Sequence, residues 1–172
     1  MSLSTATKFA AAALALLAFT GASYRGDRAS INFPDGWSGP ENGEEGLVTF
    51  KESGGVANCN LQTKNVDDAR YVSLDQINAL EAHVYTVADW ATLLGVSSSD
   101  LTVINSELRP FADAYFHIAT LRVKYQGSEA MVRYGFYVLP GRISMAGCYA
   151  RADDYPKYAD LFDKTITSLR PW

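Results

Sequence analysis

Two histidines, two cysteines and three adjacent carboxylate pairs are the residues of this chain from which chemistry would start. His83 and His117 have no H-x-H, H-x-x-x-H or Cys/His neighbour, whereas a metal centre wants three or four ligands at workable spacing. His83 falls between Leu80 and Val87 at the edge of an apolar helical stripe, and His117 on the apolar side of a strand, so both read as structural. The open alternative is a site assembled from dispersed residues, with His117 or His83 beside tyrosines as the acid–base group. No G-x-S-x-G elbow or phosphate-cradling loop is present. Glu44-Glu45, Asp67-Asp68 and Asp153-Asp154 lie in expected loops or caps, where water solvates them. These readings assign no catalytic, metal or cofactor-binding residue, and the chain is expected to be no enzyme.

Cys59 and Cys148 take their meaning from the compartment. Lys8 precedes an apolar run from Phe9 to Phe19, and small residues follow at Thr20, Gly21, Ala22 and Ser23. That order is a secretory leader, with cleavage after Ala22 or Ser23, and the run is too short for a spanning helix, which needs about 20 residues. Residues 1–23 are therefore expected to be a signal peptide and residues 24–172 a single periplasmic or secreted domain without a stable membrane anchor. In an oxidising compartment the two cysteines read as a disulfide. It would close a loop of about 90 residues and stabilise the fold by ~4–5 kcal/mol on the chain-entropy model. Two separate buried thiols are the competing reading. With 15 basic and 19 acidic groups and no Lys/Arg block, the chain lacks the clustered positive charge that nucleic acid requires.

The elements that position these residues follow from period and punctuation. Residues 24–30 are polar and expected to be mobile, 29–33 form a strand, 38–46 a solvated loop, and 47–51 and 56–61 two strands. Ser73 and Gln76 form a capping box. Behind it Ile77, Leu80, Val84, Val87, Ala91 and Leu94 recur at spacings of three and four, predicting one amphipathic helix closed by Gly95. A strand over 101–108, a turn at Arg109-Pro110, and strands over 114–125, 131–139 and 143–150 follow. The last three form an antiparallel meander. Pairing Tyr125 with Ala130 and Leu139 with Arg142 puts its apolar residues on one face. The same register sets Arg122 opposite Arg133, with Lys124 and Cys148 on that face. Opposed like charges are destabilising, so a carboxylate from a neighbouring element, solvent, or an anion must relieve them. Arg122, Lys124 and Arg133 are therefore a candidate patch for an anionic ligand or acidic partner. A helix over 155–169, with Tyr155, Tyr158, Phe162, Ile166 and Leu169 inward, ends at Pro171. Strands, a helix, four strands and a helix make an α+β domain: an antiparallel sheet of six to seven strands with helices packed on it.

Arg25-Gly26-Asp27 spells the tripeptide that integrins read, at the expected mature N-terminus. Phe33-Pro34-Asp35-Gly36-Trp37 is similar to the P-x-G-W start of PsbP-like domains. The central helix, the meander and the closing helix with Phe162 and Ile166-Thr167-Ser168-Leu169 resemble the rest of that pattern, over about residues 28–169. The Cys59/Cys148 pair departs from it. The resemblance implies a sheet between helices and an accessory or binding role, exercised on an envelope protein partner, with no shared site motif to carry over. Two other readings stay open: a small-ligand carrier with an aromatic-lined cavity, and the dispersed enzyme site.

Overall fold

The computed structural model describes residues 22–26, 28–125 and 127–172. The expected leader, up to residue 21, lies outside them. Its last two residues, Ala22 and Ser23, open β1 (Ala22–Arg25). The strands β3 (Ser38–Asn42), β4 (Val48–Lys51), β5 (Ala57–Asn65), β6 (Leu101–Phe111), β7 (Ala114–Tyr125), β8 (Ser128–Leu139) and β9 (Arg142–Arg151) form an antiparallel sheet in the order β3-β4-β5-β9-β8-β7-β6. A second sheet, β1-β2-β10, joins β1 to β2 (Ala29–Phe33) and β10 (Arg170–Pro171). Among the described residues three α-helices complete the fold: α1 (Leu74–Glu81), α2 (Val87–Leu94) and α3 (Tyr155–Thr167).

Both faces of the large sheet are covered. Cys59, Phe116, Ile118, Tyr137, Ala146 and Cys148 pack beneath α3 and the small sheet, where Ile31, Phe33, Phe162 and Ile166 meet them. On the other face Ala119, Leu121 and Phe136 pack with Trp90 and Ala91 of α2. A single buried face was expected from the meander. Its strands are apolar at successive positions, as at Phe116, Ile118, Ala119 and Leu121, and a sheet buried on both sides needs such runs. At β8 the absence of a side chain on Gly135 brings α3 close: a Cβ there would lie 2.5 Å from Phe116 Cζ and 2.7 Å from Ile166 Cγ2.

Several local expectations change. Tyr24, Arg25 and Ser30, expected in a mobile segment, are paired in the β1–β2 ladder, and Tyr24 sits edge-on to Phe50 at 5.6 Å. Ser38–Asn42, expected as loop, is an exposed edge strand paired with β4. Pro110 lies inside β6 rather than in a turn, which an edge strand tolerates because one side of its ladder is unpaired. The chain reverses instead at Ala112–Asp113, with Ala112 at φ 49°. β8 and β9 pair as expected, Leu139 with Arg142. β7 and β8 are shifted by two: Tyr125 faces Ser128. A shift of two leaves every side chain on its face but changes each partner. The expected central helix is two helices, broken between Glu81 and Val87.

Candidate functional site

The break in the helix follows from a second capping box. Thr86 Oγ1 accepts from the Asp89 backbone N–H, and the Asp89 carboxylate accepts from the Thr86 N–H at 2.7 Å. The motif Thr86-x-x-Asp89 starts a new helix. The bend turns Tyr85 inward, 4.4 Å from the His117 ring and 5.2 Å from Phe136. Leu80, Val84 and Val87, half of the apolar stripe, face solvent at 71%, 52% and 40% exposure, and Tyr71 just before α1 is also exposed. The elbow thus trades a continuous buried stripe for an apolar outer surface.

Under the elbow the structure gathers Glu81, His83, Tyr85 and His117. His117 is 1% exposed and stacks on Phe136 at 4.7 Å. Its Nε2 lies 3.0 Å from Glu81 Oε2 without the alignment of a hydrogen bond, and its Nδ1 has no hydrogen-bond partner among the described residues. Tyr85 donates its hydroxyl to the same Glu81 oxygen at 2.9 Å. Burial alone would raise the Glu81 pKa, but the contacts from His117 and Tyr85 outweigh it and hold the carboxyl below its ordinary value of 4.5. For Tyr85, burial and the adjacent Glu81 charge push the hydroxyl well above its usual range. His83 stacks on Tyr85 at 5.2 Å and contacts the Leu80 carbonyl through Nδ1. Glu81 was missed from sequence, although Glu81 and Tyr85 stand four apart and Thr86-x-x-Asp89 is a readable cap. The His117 contact joins elements distant in sequence and left no local signal.

The expected opposition of Arg122 and Arg133 does not form. Arg122 faces Met131, and Arg133 faces Thr120 on one side and Cys148 on the other. Arg133 is 6% exposed. It donates from Nε and Nη2 to Asp163 Oδ1 of α3, at 3.1 and 2.6 Å, and from Nη1 to Thr120 Oγ1 at 3.0 Å. The carboxylate from a neighbouring element is therefore the relief, and the guanidinium is already occupied. Lys124 is exposed, 3.9 Å from Glu129. Cys59 and Cys148, opposed on β5 and β9 with Cα atoms 4.0 Å apart, form a fully buried disulfide. In the integrin-like tripeptide, Arg25 lies over the Trp172 ring at 4.4 Å, and Asp27 is outside the described residues. Among the described residues no three His, Cys, Asp or Glu side chains are grouped to hold a metal ion, and no helix is long and apolar enough to cross a membrane.

A trough of about 320 Å³ opens on the α2 side of the large sheet, beyond the end of that helix. Leu94, Val96, Val123, Val132, Met145 and Tyr149 form much of its wall. It exists because α1 and α2 lie against β6, β7 and β8, while β5 presents the amides of Asn60 and Gln62 beside β9. Gly147 makes the floor: a Cβ there would meet Tyr134 Cδ2 at 2.8 Å, so only glycine lets that ring lie over β9.

No family model and no curated protein matches the sequence. The fold is PsbP-like. The solution structure of cyanobacterial PsbP (CyanoP) from Synechocystis superposes with a TM-score of 0.59 over 88% of this chain and 92% of that one, at 14% identity. A protein of unknown function from Pseudomonas aeruginosa, PA94, superposes with a TM-score of 0.51 over 88% and 97% of the two chains, at 12% identity.

Proposed function

We propose that this chain is an exported, non-enzymatic accessory domain that docks a protein partner of the periplasm or cell exterior through the elbow between α1 and α2. The carrying observation is the exposure of Leu80, Val84 and Val87 together at that elbow. Isolated apolar residues on a surface need no explanation, but a cluster on one short segment marks a contact surface. Asp75 and Asp89 flank it, so the complementary partner carries an apolar ridge with lysine or arginine around it. His117 supports a binding role because its imidazole is closed off beneath the elbow and engaged with Glu81. The disulfide and the leader-like N-terminus support an oxidising compartment.

Two measurements test the reading. Mass analysis of the natively expressed product should return a chain lacking the first 22 or 23 residues and no titratable thiol; intact Met1 with two free sulfhydryls would overturn export. A photo-crosslinker at position 80 should capture one envelope protein, and a Leu80→Asp/Val84→Asp variant should lose that partner in pull-down at unchanged thermal stability. Equal recovery with both forms would overturn docking at the elbow.

A further inference from the structure

Independently of the elbow, we infer that the trough beyond α2 is a binding site for a small neutral amphiphile: an aliphatic or single-ring body bearing one amide or hydroxyl group. Three observations converge on that chemistry.

The first is charge. Among the described residues no Asp, Glu, Lys, Arg or His lines the trough, which is walled by Leu, Val, Met, Ala and Tyr with two amides. An ionic ligand would enter with nothing to compensate its desolvation, a cost of several kcal/mol. The second is polarity at one place. The Asn60 side-chain oxygen is buried without a hydrogen-bond partner among the described residues. An orphaned acceptor behind an apolar wall costs free energy until the side chain turns to meet a donor, and the missing donor is supplied by an amide N–H or a hydroxyl. Tyr134, which also lines the trough, faces Gly147 across the β8–β9 ladder, and Gly147 faces Asn60 across β9–β5. A phenol and a carboxamide therefore lie on one row of the same sheet, a donor and an acceptor for a single amide head group. Burial pushes the Tyr134 hydroxyl far above its usual pKa, so it remains a donor at any physiological pH. The third is size. At ~30 Å³ for each non-hydrogen atom, by analogy with liquid water, the trough holds roughly ten such atoms. Small-ligand sites combine this volume range, apolar walls and a few convergent polar atoms.

Octanamide and octanoate have the same chain length and nearly the same shape, and only the first is neutral and carries a donor. The test titrates each into the isotopically labelled domain and follows amide and methyl resonances. Octanamide should shift signals from Met145, Val132 and Leu94 saturably, and octanoate should bind at least tenfold more weakly. Asn60→Leu, which keeps the volume and removes the acceptor, should weaken octanamide about tenfold and narrow its preference over octanoate. Should that variant fail to fold, the wild-type preference for octanamide decides alone. Equal binding of the two probes, or no saturable shift in the trough at millimolar octanamide, would overturn the inference. The Leu80→Asp/Val84→Asp variant should bind octanamide normally, so loss of the partner and loss of the ligand are separate results.

Discussion

Arg133 is the most heavily committed side chain of the sheet. It is buried between β8 and α3, and its bonds to Asp163 and Thr120 leave little of the guanidinium free for a ligand. A buried cation left alone is far more costly than one replaced by an apolar side chain of similar volume. Asp163→Ala should therefore destabilise the domain by about 2 kcal/mol, less than the full cost of breaking a buried pair because water reaches Asp163. Arg133→Met removes the charge together with its need for a partner, and should cost less than Asp163→Ala. Urea denaturation of the two variants measures both. The opposite order would assign the stabilisation to packing of the arginine stem. The same residue marks a limit of sequence reading. That Arg133 shares the Cys148 face was legible from strand alternation, but its need for relief rested on an opposition to Arg122 that the shifted register removes. Its partner Asp163 left no local signal because it is 30 positions away on a helix packed over the sheet.

The elements follow the same division. Capping at Ser73, the β8–β9 register and the inward stripe of α3 are local signals, and the structure contains them. The small sheet was invisible because β10 pairs with β2 from the far end of the chain, and neither strand carries a signal of the other. The elbow was misread for a different reason: spacings of three and four continue across it, so hydrophobic period alone predicts one helix, and only the Thr86/Asp89 cap interrupts it. What holds the bend is Glu81 at the end of α1, touching His117 of β7 and Tyr85 of the bend. Because the folded-state pKa of Glu81 lies below its ordinary value of 4.5, the native state binds its proton less readily than the unfolded chain does. Its contribution is then fully present above that value and is lost as pH falls through the lower folded-state pKa. The urea midpoint of the wild type should fall on acidification. The gap between wild type and Glu81→Gln should shrink as the pH falls below 4.5. A gap independent of pH would mean that shape, not ionisation, of residue 81 holds the bend.

At the scale of the molecule the large sheet is two pieces joined at one seam. β3, β4 and β5 come from the first part of the chain and β6 to β9 from the second, and the β5–β9 ladder unites them. The disulfide lies in that seam, 89 positions apart in sequence and among the buried residues beneath α3. Between the cysteines run α1, α2 and three strands, so an unfolded chain without the bond explores a far larger loop. The chain-entropy model puts the resulting stabilisation at about 4–5 kcal/mol for a loop of this length, acting mainly through the unfolded state. Cys59→Ala/Cys148→Ala should keep the fold, since alanine suits an apolar face. It should lower stability by about 3–4 kcal/mol and the melting temperature by about 10 °C. Because both sulfurs are buried, reductant should act on the native protein only as fast as the seam opens. A loss below about 1 kcal/mol would mean that the reduced, denatured chain is already compact around this seam. The nine residue pairs of the ladder would then join the two halves without the bond.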